Sequence, residues 1–202
     1  VGTSIASFFD GAYSWLSYAD RLYQLPLGLV GAAIGAALLP ELSRRAAAEE
    51  AQGAQEALNR AMEFGLLGAF PAAMALLAFP DTLIAVLFQR GEFGPADTHA
   101  TAQAVALYAL GVPAFVLLKA VAPIYYARED SKTPLRFALW GMAINTVLSV
   151  GGAALVDWRA IPLATSVAAW ANLWMLWHGA AHDPARVIDA KLRRRAPRIL
   201  LA

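Results

Sequence analysis

Long stretches without charged residues recur along the chain and are separated by short charged connections. A helix needs about 20 mostly apolar residues to cross a bilayer core of about 30 Å. Five stretches are of this order: 22–39, 64–80, 100–127 with Lys119 as its one interruption, 137–156 and 161–177. The pattern predicts an all-α, polytopic membrane helical bundle with about five complete transmembrane helices and partial elements at its ends.

Composition supports the membrane class. Hydrophobic residues make up 59% of the chain, charged residues 15%, and the mean hydropathy is +0.50, whereas about a quarter of the residues of soluble domains are charged. A soluble core cannot absorb this much apolar sequence, so a soluble alanine-rich helical bundle is the weaker alternative. The chain has no cysteine and therefore no thiolate metal site.

The connections between the stretches alternate in charge. Those at 41–60, 128–136 and 178–202 are rich in arginine and lysine, whereas those at 81–98 and 156–160 set one arginine against acidic residues. By the positive-inside rule, the basic connections face the cytoplasm. The first stretch is then predicted to run from the outside inward, and the following stretches alternate in direction.

The remaining segments give local expectations. The alanine-rich connection 41–60 is predicted to be a surface helix, with a solvated linker as the alternative. Residues 88–95, with glycine and proline at turn spacing, are predicted to form a tight re-entry turn. Residues 1–9 resemble the last turns of a helix that begins earlier, and 198–202 resemble the start of an apolar run. We therefore interpret the chain as an internal piece of a longer polytopic protein.

Two basic residues are candidates for binding an anion. Lys119 lies alone in an apolar stretch, and a cation at membrane depth, which costs about 2.5–3.5 kcal/mol on insertion scales, is tolerated where it faces a bundle interior or a wet cavity. Arg21 either lies in the outer headgroup layer or turns inward and offers its planar fork of donors to a phosphate. Asp20 lies about 100° from Arg21 around a helix, so we expect it to hold another helix instead.

A separate polar spot is predicted near the short outer turn. Asn145 and Ser149 share one helix face, and Thr165 lies close across the turn. A sodium site would require a carboxylate, which these residues do not supply. Hydrogen bonding between helices is therefore favoured over ion binding at this spot.

No motif for enzyme catalysis is present. The sequence has no glycine-rich phosphate loop, no HExxH, no GxSxG and no nucleophile with a nearby base. His99, His178 and His182 lie at the ends of stretches, where an interfacial position is favoured over a proton relay. We expect a protein that is not an enzyme and that uses no catalytic residue, no cofactor, no metal and no nucleic acid.

Small residues and prolines within the stretches leave alternatives open. Gly31 and Gly35 form a GxxxG, for which packing within the chain is favoured over dimerisation. Pro113 and Pro123 bracket Lys119, and each either provides a hinge or has no role in movement.

Several motifs in order along the chain resemble a known family. They are SWLSYADRLYQLPLGLVG at 14–31, LLPELS at 38–43, LFQRGEF at 87–93, KAVAP at 119–123 and YAREDSKTP at 126–134. Together they are similar to the lipid II flippase family MurJ, formerly MviN. The resemblance implies a fourteen-helix protein of the multidrug/oligosaccharidyl-lipid/polysaccharide (MOP) exporter superfamily. Residues 1–202 would be part of its single transmembrane domain, from the end of helix seven through helix twelve to the start of helix thirteen.

The resemblance also implies a function. Such a protein moves lipid II, the undecaprenyl-pyrophosphate-linked peptidoglycan precursor, from the cytoplasmic to the periplasmic leaflet of the bacterial inner membrane by alternating access. Arg21 matches a functional arginine in the family's Ala-Asp-Arg-Leu motif, and Lys119 and Asp20 complete the predicted substrate-binding set. Lipid II, membrane lipids and cell-wall synthesis proteins are the expected partners. The alternatives are another MOP exporter, carrying a polyprenyl-linked oligosaccharide or a drug, and a non-transporting scaffold for cell-wall enzymes.

Overall fold

A computed structural model describes residues 2–9, 11–47, 51–127 and 129–181. Within these ranges the chain is helical and has no strand. The helices are α1 Gly2–Ala6, α2 Ala12–Ala47, α3 Ala51–Ala78, α4 Pro80–Phe88, α5 Pro95–Ala109, α6 Val112–Ala127, α7 Lys132–Leu155 and α8 Ala160–Ala181.

The five predicted transmembrane stretches are confirmed as helical segments long and apolar enough to cross a membrane. They are Ala12–Leu38, Glu56–Ala78, Pro95–Tyr126, Lys132–Leu155 and Ala160–Gly179. Each begins before the uncharged stretch that predicted it, because a helix continues into flanking polar residues whose backbone hydrogen bonds it also satisfies. The all-α membrane bundle inferred from the sequence is therefore correct.

The described part of the predicted surface helix over 41–60 is helical, but it does not form a separate helix. Helix α2 continues to Ala47, and α3 already begins at Ala51. Alanine has the highest helix propensity of any residue, so the alanine-rich connection lengthens both neighbours. The terminal segment 198–202, His182 and Arg128 lie outside the described residues.

The outer connection contains more structure than a turn. Pro80 begins α4, a helix of nine residues, in a position where its missing N–H is not needed. The predicted tight turn follows: Gly91 has a φ of +59°, and the N–H of Phe93 donates to the carbonyl of Arg90 at 3.2 Å. The turn over 88–95 is confirmed, whereas the residues before it are helical.

The third stretch is interrupted between α5 and α6, at Leu110 and Gly111. Pro113 has no N–H to donate to the preceding turn, and two carbonyls at the interruption are met by α8 instead. The Ser166 hydroxyl donates to the carbonyl of Leu107 at 2.7 Å, and the Trp170 indole N–H donates to that of Leu110 at 2.9 Å. The third stretch is therefore two helices whose junction is bridged by hydrogen bonds from α8.

Aromatic and acidic side chains join the predicted outer ends of three spans. The Trp15 indole N–H donates to Asp97 Oδ1 at 2.8 Å, linking the start of α2 to the start of α5. The ring of Trp15 also packs on that of Trp158, between α7 and α8, with centroids 5.3 Å apart. The three segments assigned to the outer side thus lie at one end of the bundle, as the alternating directions require.

The opposite end is fixed by a cap on α7. Asp130 Oδ1 accepts the backbone N–H groups of Lys132 at 3.1 Å and Thr133 at 3.0 Å. The Thr133 hydroxyl, and then its backbone N–H, lower the pKa of the Asp130 carboxyl, because these bonds favour the charged form. An ionised aspartate just before α7 thus accepts the first backbone N–H groups of that helix.

Close helix contacts hold α2, α3 and α6 together. A Cβ added at Gly65 of α3 would lie 2.9 Å from Ile34 Cδ1 and 3.0 Å from Val116 Cγ1, so side chains of α2 and α6 pack directly on the backbone of α3 at that point. In the GxxxG of α2, Gly31 lies against Lys119 of α6, whereas a Cβ at Gly35 would meet nothing within 4 Å in the described structure. Of the two glycines in this motif, Gly31 is therefore the one that makes a close contact within the chain.

Candidate functional site

Arg21 lies in the outer part of α2 and is exposed. It follows Trp15 by six residues, which is about 9 Å along the helix axis. Arg21 therefore lies about 9 Å deeper in the bundle than the outer end at Trp15. Within the described ranges no hydrogen bond or ion pair involves its guanidinium. The side chain is therefore available to an anion.

The exposed face of α2 differs in chemistry from that of α7. On α2, polar and small residues with a few leucines recur at helical spacing: Arg21, Gln24, Leu25, Leu29, Ala32 and Ala36. On α7 the exposed residues are mostly large and apolar: Leu135, Leu139, Trp140, Met142, Val147, Leu148 and Val150. Acyl chains favour the α7 pattern, whereas a face with a free arginine and a glutamine favours a wet space.

Lys119 projects from α6 across α2. Its stem lies against Gly31, and the residue as a whole is exposed. Gly31 follows Arg21 by ten residues, about 15 Å along the axis and about 80° around the helix. No carboxylate in the described part of the chain pairs with Lys119. The two predicted cations thus flank one side of α2 at different depths.

Asp20 is engaged by its own helix. Gln24 Nε2 donates to Asp20 Oδ2 at 2.5 Å, and Tyr23, three residues further along the helix, is an electrostatic neighbour of this carboxylate. Tyr23 in turn stacks on Tyr108 of α5, with ring centroids 4.7 Å apart. Among the described residues no hydrogen bond joins Asp20 to another helix, and its neighbour Tyr23 makes the contact with α5 instead. A direct role for Asp20 in substrate binding stays a prediction.

The polar spot near the outer turn has a different geometry from the one expected. Ser149 is buried, and its hydroxyl donates to Asn145 Oδ1 at 3.0 Å within α7. The Thr165 hydroxyl donates to the carbonyl of Ile161 at 3.1 Å within α8. The favoured interpretation, hydrogen bonds between helices, is wrong for these bonds, because an i to i+4 partner is closer than the neighbouring helix. Ion binding at this spot stays a prediction.

A groove of about 570 Å³ lies elsewhere, between α2 and the start of α3. Its walls are mainly apolar, and charged residues lie at its end, where Glu56 pairs with Arg60 at 4.0 Å and Glu41 pairs with Arg44. Neither Arg21 nor Lys119 lines it. The groove therefore adjoins the exposed face of α2 at Leu29, but neither predicted cation lines it.

The described histidines make local contacts at exposed positions. His99 Nδ1 lies 2.9 Å from Asp81 Oδ1, and its other ring nitrogen lies 2.9 Å from Gln103 Nε2. His178 Nδ1 lies 2.9 Å from the carbonyl of Trp174. Both fit the interfacial interpretation. Among the described residues, no three histidine or acidic side chains are grouped so that they could hold a metal ion.

Sequence reasoning missed three features of this region. It did not predict that Lys119 would lie on Gly31, or that Ser166 and Trp170 would bridge the break before α6. The second feature had a partial signal in the sequence, since Gly111 and Pro113 interrupt an otherwise regular apolar stretch. The third feature, the stacking of Tyr23 on Tyr108, had no signal in the sequence.

Comparison with known proteins gives consistent matches. The profile of the family described as "Lipid II flippase MurJ" matches residues 1–194. Proteins described as "Probable lipid II flippase MurJ" from Rhizobium tropici and Rickettsia prowazekii (strain Madrid E) are 41% and 37% identical to this chain, each over 100% of its length. A "Lipid II flippase MurJ" of Burkholderia cenocepacia is 33% identical over 89% of the chain.

A solved structure described as "Lipid II flippase MurJ, inward closed conformation" shares the fold. It superposes with a TM-score of 0.84 at 24% identity, over 98% of this chain and 40% of that one. The chain spans 38%, 40% and 35% of the lengths of the three relatives, in the order given. The described helices are therefore similar to a part of a longer transmembrane fold.

Proposed function

Because the chain belongs to the lipid II flippase family MurJ, we propose that it forms part of a flippase for lipid II in the bacterial inner membrane. The whole protein carries the undecaprenyl-pyrophosphate-linked precursor from the cytoplasmic to the periplasmic leaflet by alternating access. Residues 1–202 supply the end of helix seven, helices eight to twelve and the start of helix thirteen of a fourteen-helix transmembrane domain. Lipid II and membrane lipids are the partners that this activity requires.

One observation carries the proposal for this part of the protein: Arg21 and Lys119 flank one side of α2 without a carboxylate partner among the described residues. An unpaired cation at membrane depth is costly, by about 2.5–3.5 kcal/mol on insertion scales, unless it faces water or an anion. A pyrophosphate headgroup is such an anion. Arg21 offers it a planar fork of donors, and Lys119 offers a compact charge.

The transport step needs no chemical conversion. Cationic side chains compensate the charge of the headgroup, so that it can leave bulk water and enter a cavity. The cavity then opens to the other side of the membrane and releases the headgroup to the other leaflet. No bond is made or broken, so the absence of a catalytic constellation in the sequence is compatible with the activity. Recruitment of cell-wall synthesis proteins through the basic connections is a compatible additional role.

Replacement of Lys119 by alanine tests the proposal. We expect lipid II to bind the full-length reconstituted protein about tenfold more weakly, since one hydrogen bond to a charged group is worth about 1.5–3 kcal/mol and 1.4 kcal/mol is about tenfold. Lys132→Ala, which removes an exposed lysine at the start of α7, is the matched control and should bind normally. Equal affinities for Lys119→Ala and the unsubstituted protein would count against Lys119 as a binding residue.

The same assay separates the proposal from its alternatives. An exporter of another polyprenyl-linked sugar or of a drug would bind lipid II no more tightly than it binds its own substrate. A scaffold for cell-wall enzymes would show no change in lipid II binding when Lys119 is replaced. We expect lipid II affinity that falls with this substitution.

A further inference from the structure

The stem of Lys119 occupies the space that a side chain at position 31 would take. A Cβ added at Gly31 would lie 2.2 Å from Lys119 Cδ and 2.8 Å from its Cε. Atoms at such distances overlap, so any residue other than glycine at position 31 must displace the lysine. The missing side chain is what lets the stem lie on the backbone of α2.

This contact distinguishes Gly31 from the other glycines of its helix. Gly28 lies three residues before it and Gly35 four residues after it, and a Cβ at either position would meet nothing within 4 Å in the described structure. Gly31 is buried, whereas Gly28 is exposed. Close backbone approach is therefore required at Gly31 alone among these three.

The contact restricts a side chain that is otherwise flexible. A lysine has a four-carbon stem with many rotamers, and its ammonium is strongly hydrated, so a free lysine at membrane depth extends toward the nearest water. The backbone of α2 at Gly31 instead supports the stem of Lys119 at one place. The ammonium is thereby kept at the level of Gly31, about 15 Å along the axis and about 80° around α2 from Arg21.

We propose that Gly31 is a positioning residue: it holds the Lys119 ammonium at a fixed depth on α2, so that a diphosphate headgroup meets two cations at two levels of one wall. The identity of the anion rests on the proposed function. The displaced atoms in a Gly31→Ala variant are at the far end of a flexible side chain. The lysine, rather than a helix, is therefore expected to move.

A double-mutant cycle on the full-length protein tests this inference. Lipid II binding is measured for Gly31→Ala, Lys119→Ala and the double variant, with Gly35→Ala as the control that adds the same methyl group to open space. We expect about a fivefold to tenfold loss for Gly31→Ala and less than about a twofold change for Gly35→Ala. In the Lys119→Ala background, where no stem remains to be displaced, Gly31→Ala should have almost no further effect.

The outcomes separate the inference from the function it rests on. Normal binding by Gly31→Ala together with weak binding by Lys119→Ala overturns the positioning role and leaves the flippase proposal standing. An equal loss from Gly31→Ala in both backgrounds also overturns it, because the effect would then not act through the lysine. Normal binding by Lys119→Ala overturns the inference and removes Lys119 from the binding site, whereas a lack of lipid II binding by the unsubstituted full-length protein overturns the flippase proposal.

Protein yield and thermal unfolding in detergent show whether weaker binding by Gly31→Ala results from a loss of folding. If Gly31→Ala alone is poorly folded, the double variant decides: restored folding supports a direct contact between the two positions, and unrestored folding overturns it.

Discussion

Replacing Arg21 with alanine should nearly abolish lipid II binding and translocation while leaving the protein folded. Two charge-assisted hydrogen bonds from one guanidinium are worth about 3 kcal/mol or more, which corresponds to a loss of more than about 100-fold in affinity. Stability should change by no more than about 0.5 kcal/mol, because Arg21 is exposed and makes no hydrogen bond or ion pair within the described ranges. Binding to the reconstituted full-length protein and growth after depletion of the native flippase are the measurements.

Two further variants show whether geometry or charge carries the effect at Arg21. Arg21→Lys keeps the charge and loses the planar fork, so we expect an intermediate affinity. Arg90→Ala removes an exposed arginine from the outer turn and should leave binding unchanged. Full growth supported by an Arg21→Ala, Lys119→Ala double variant would show that a cationic cavity is not the working part of the protein.

Replacing Gly111 with alanine should destabilise the protein strongly. The new Cβ would lie 2.8 Å from Ser166 Oγ and 3.0 Å from Ser166 Cα, and a backbone atom of α8 cannot move away as a lysine tip can. Overpacking of this kind costs about 1–3 kcal/mol. Displacement of Ser166 would also release the carbonyl of Leu107, which the Ser166 hydroxyl now satisfies at 2.7 Å. We expect a lower midpoint of thermal unfolding in detergent and a matching loss of transport.

Gly151→Ala is the control for this prediction. Gly151 lies inside α7, and a Cβ there would meet nothing within 4 Å in the described structure. Alanine has a higher helix propensity than glycine by about 1 kcal/mol, so this variant should be as stable as the unsubstituted protein or more so. If the two glycine variants unfold at the same temperature, the contact between α8 and the break before α6 does not constrain the helices.

The number and order of the spans were predictable because both depend on local properties. An uncharged stretch of sufficient length crosses a membrane whatever its neighbours are, and the sign of the connections orients it. The break at Gly111 was not predictable to the same degree. Gly111 and Pro113 weaken the helix locally, but the hydrogen bonds that stabilise the break come from Ser166 and Trp170, more than fifty residues away.

The candidate site was predictable in its charges and not in its geometry. Arg21 and Lys119 stand out because charge is rare in apolar sequence. The contact of Lys119 with Gly31 depends on how α6 crosses α2, and the GxxxG pattern indicates a close approach without naming the partner. At Ser149 the helical spacing to Asn145 was correct, but the choice between a bond within the helix and one between helices depends on a packing distance that the sequence does not contain.

Access of water to the exposed face of α2 is the most direct test of the central claim, that Arg21 and Lys119 border a hydrated space that receives a pyrophosphate. Since these 202 residues contain no cysteine, single cysteines can be placed at Gln24 and Ala32 on α2, with Leu139 and Val147 on α7 as controls, in a cysteine-free full-length protein. The account predicts that a charged, membrane-impermeant thiol reagent labels both α2 positions, that lipid II slows this labelling, and that the α7 positions stay unlabelled. Labelling at Gln24 and Ala32 as slow as at Leu139 and Val147 would place this face of α2 against acyl chains and contradict the account.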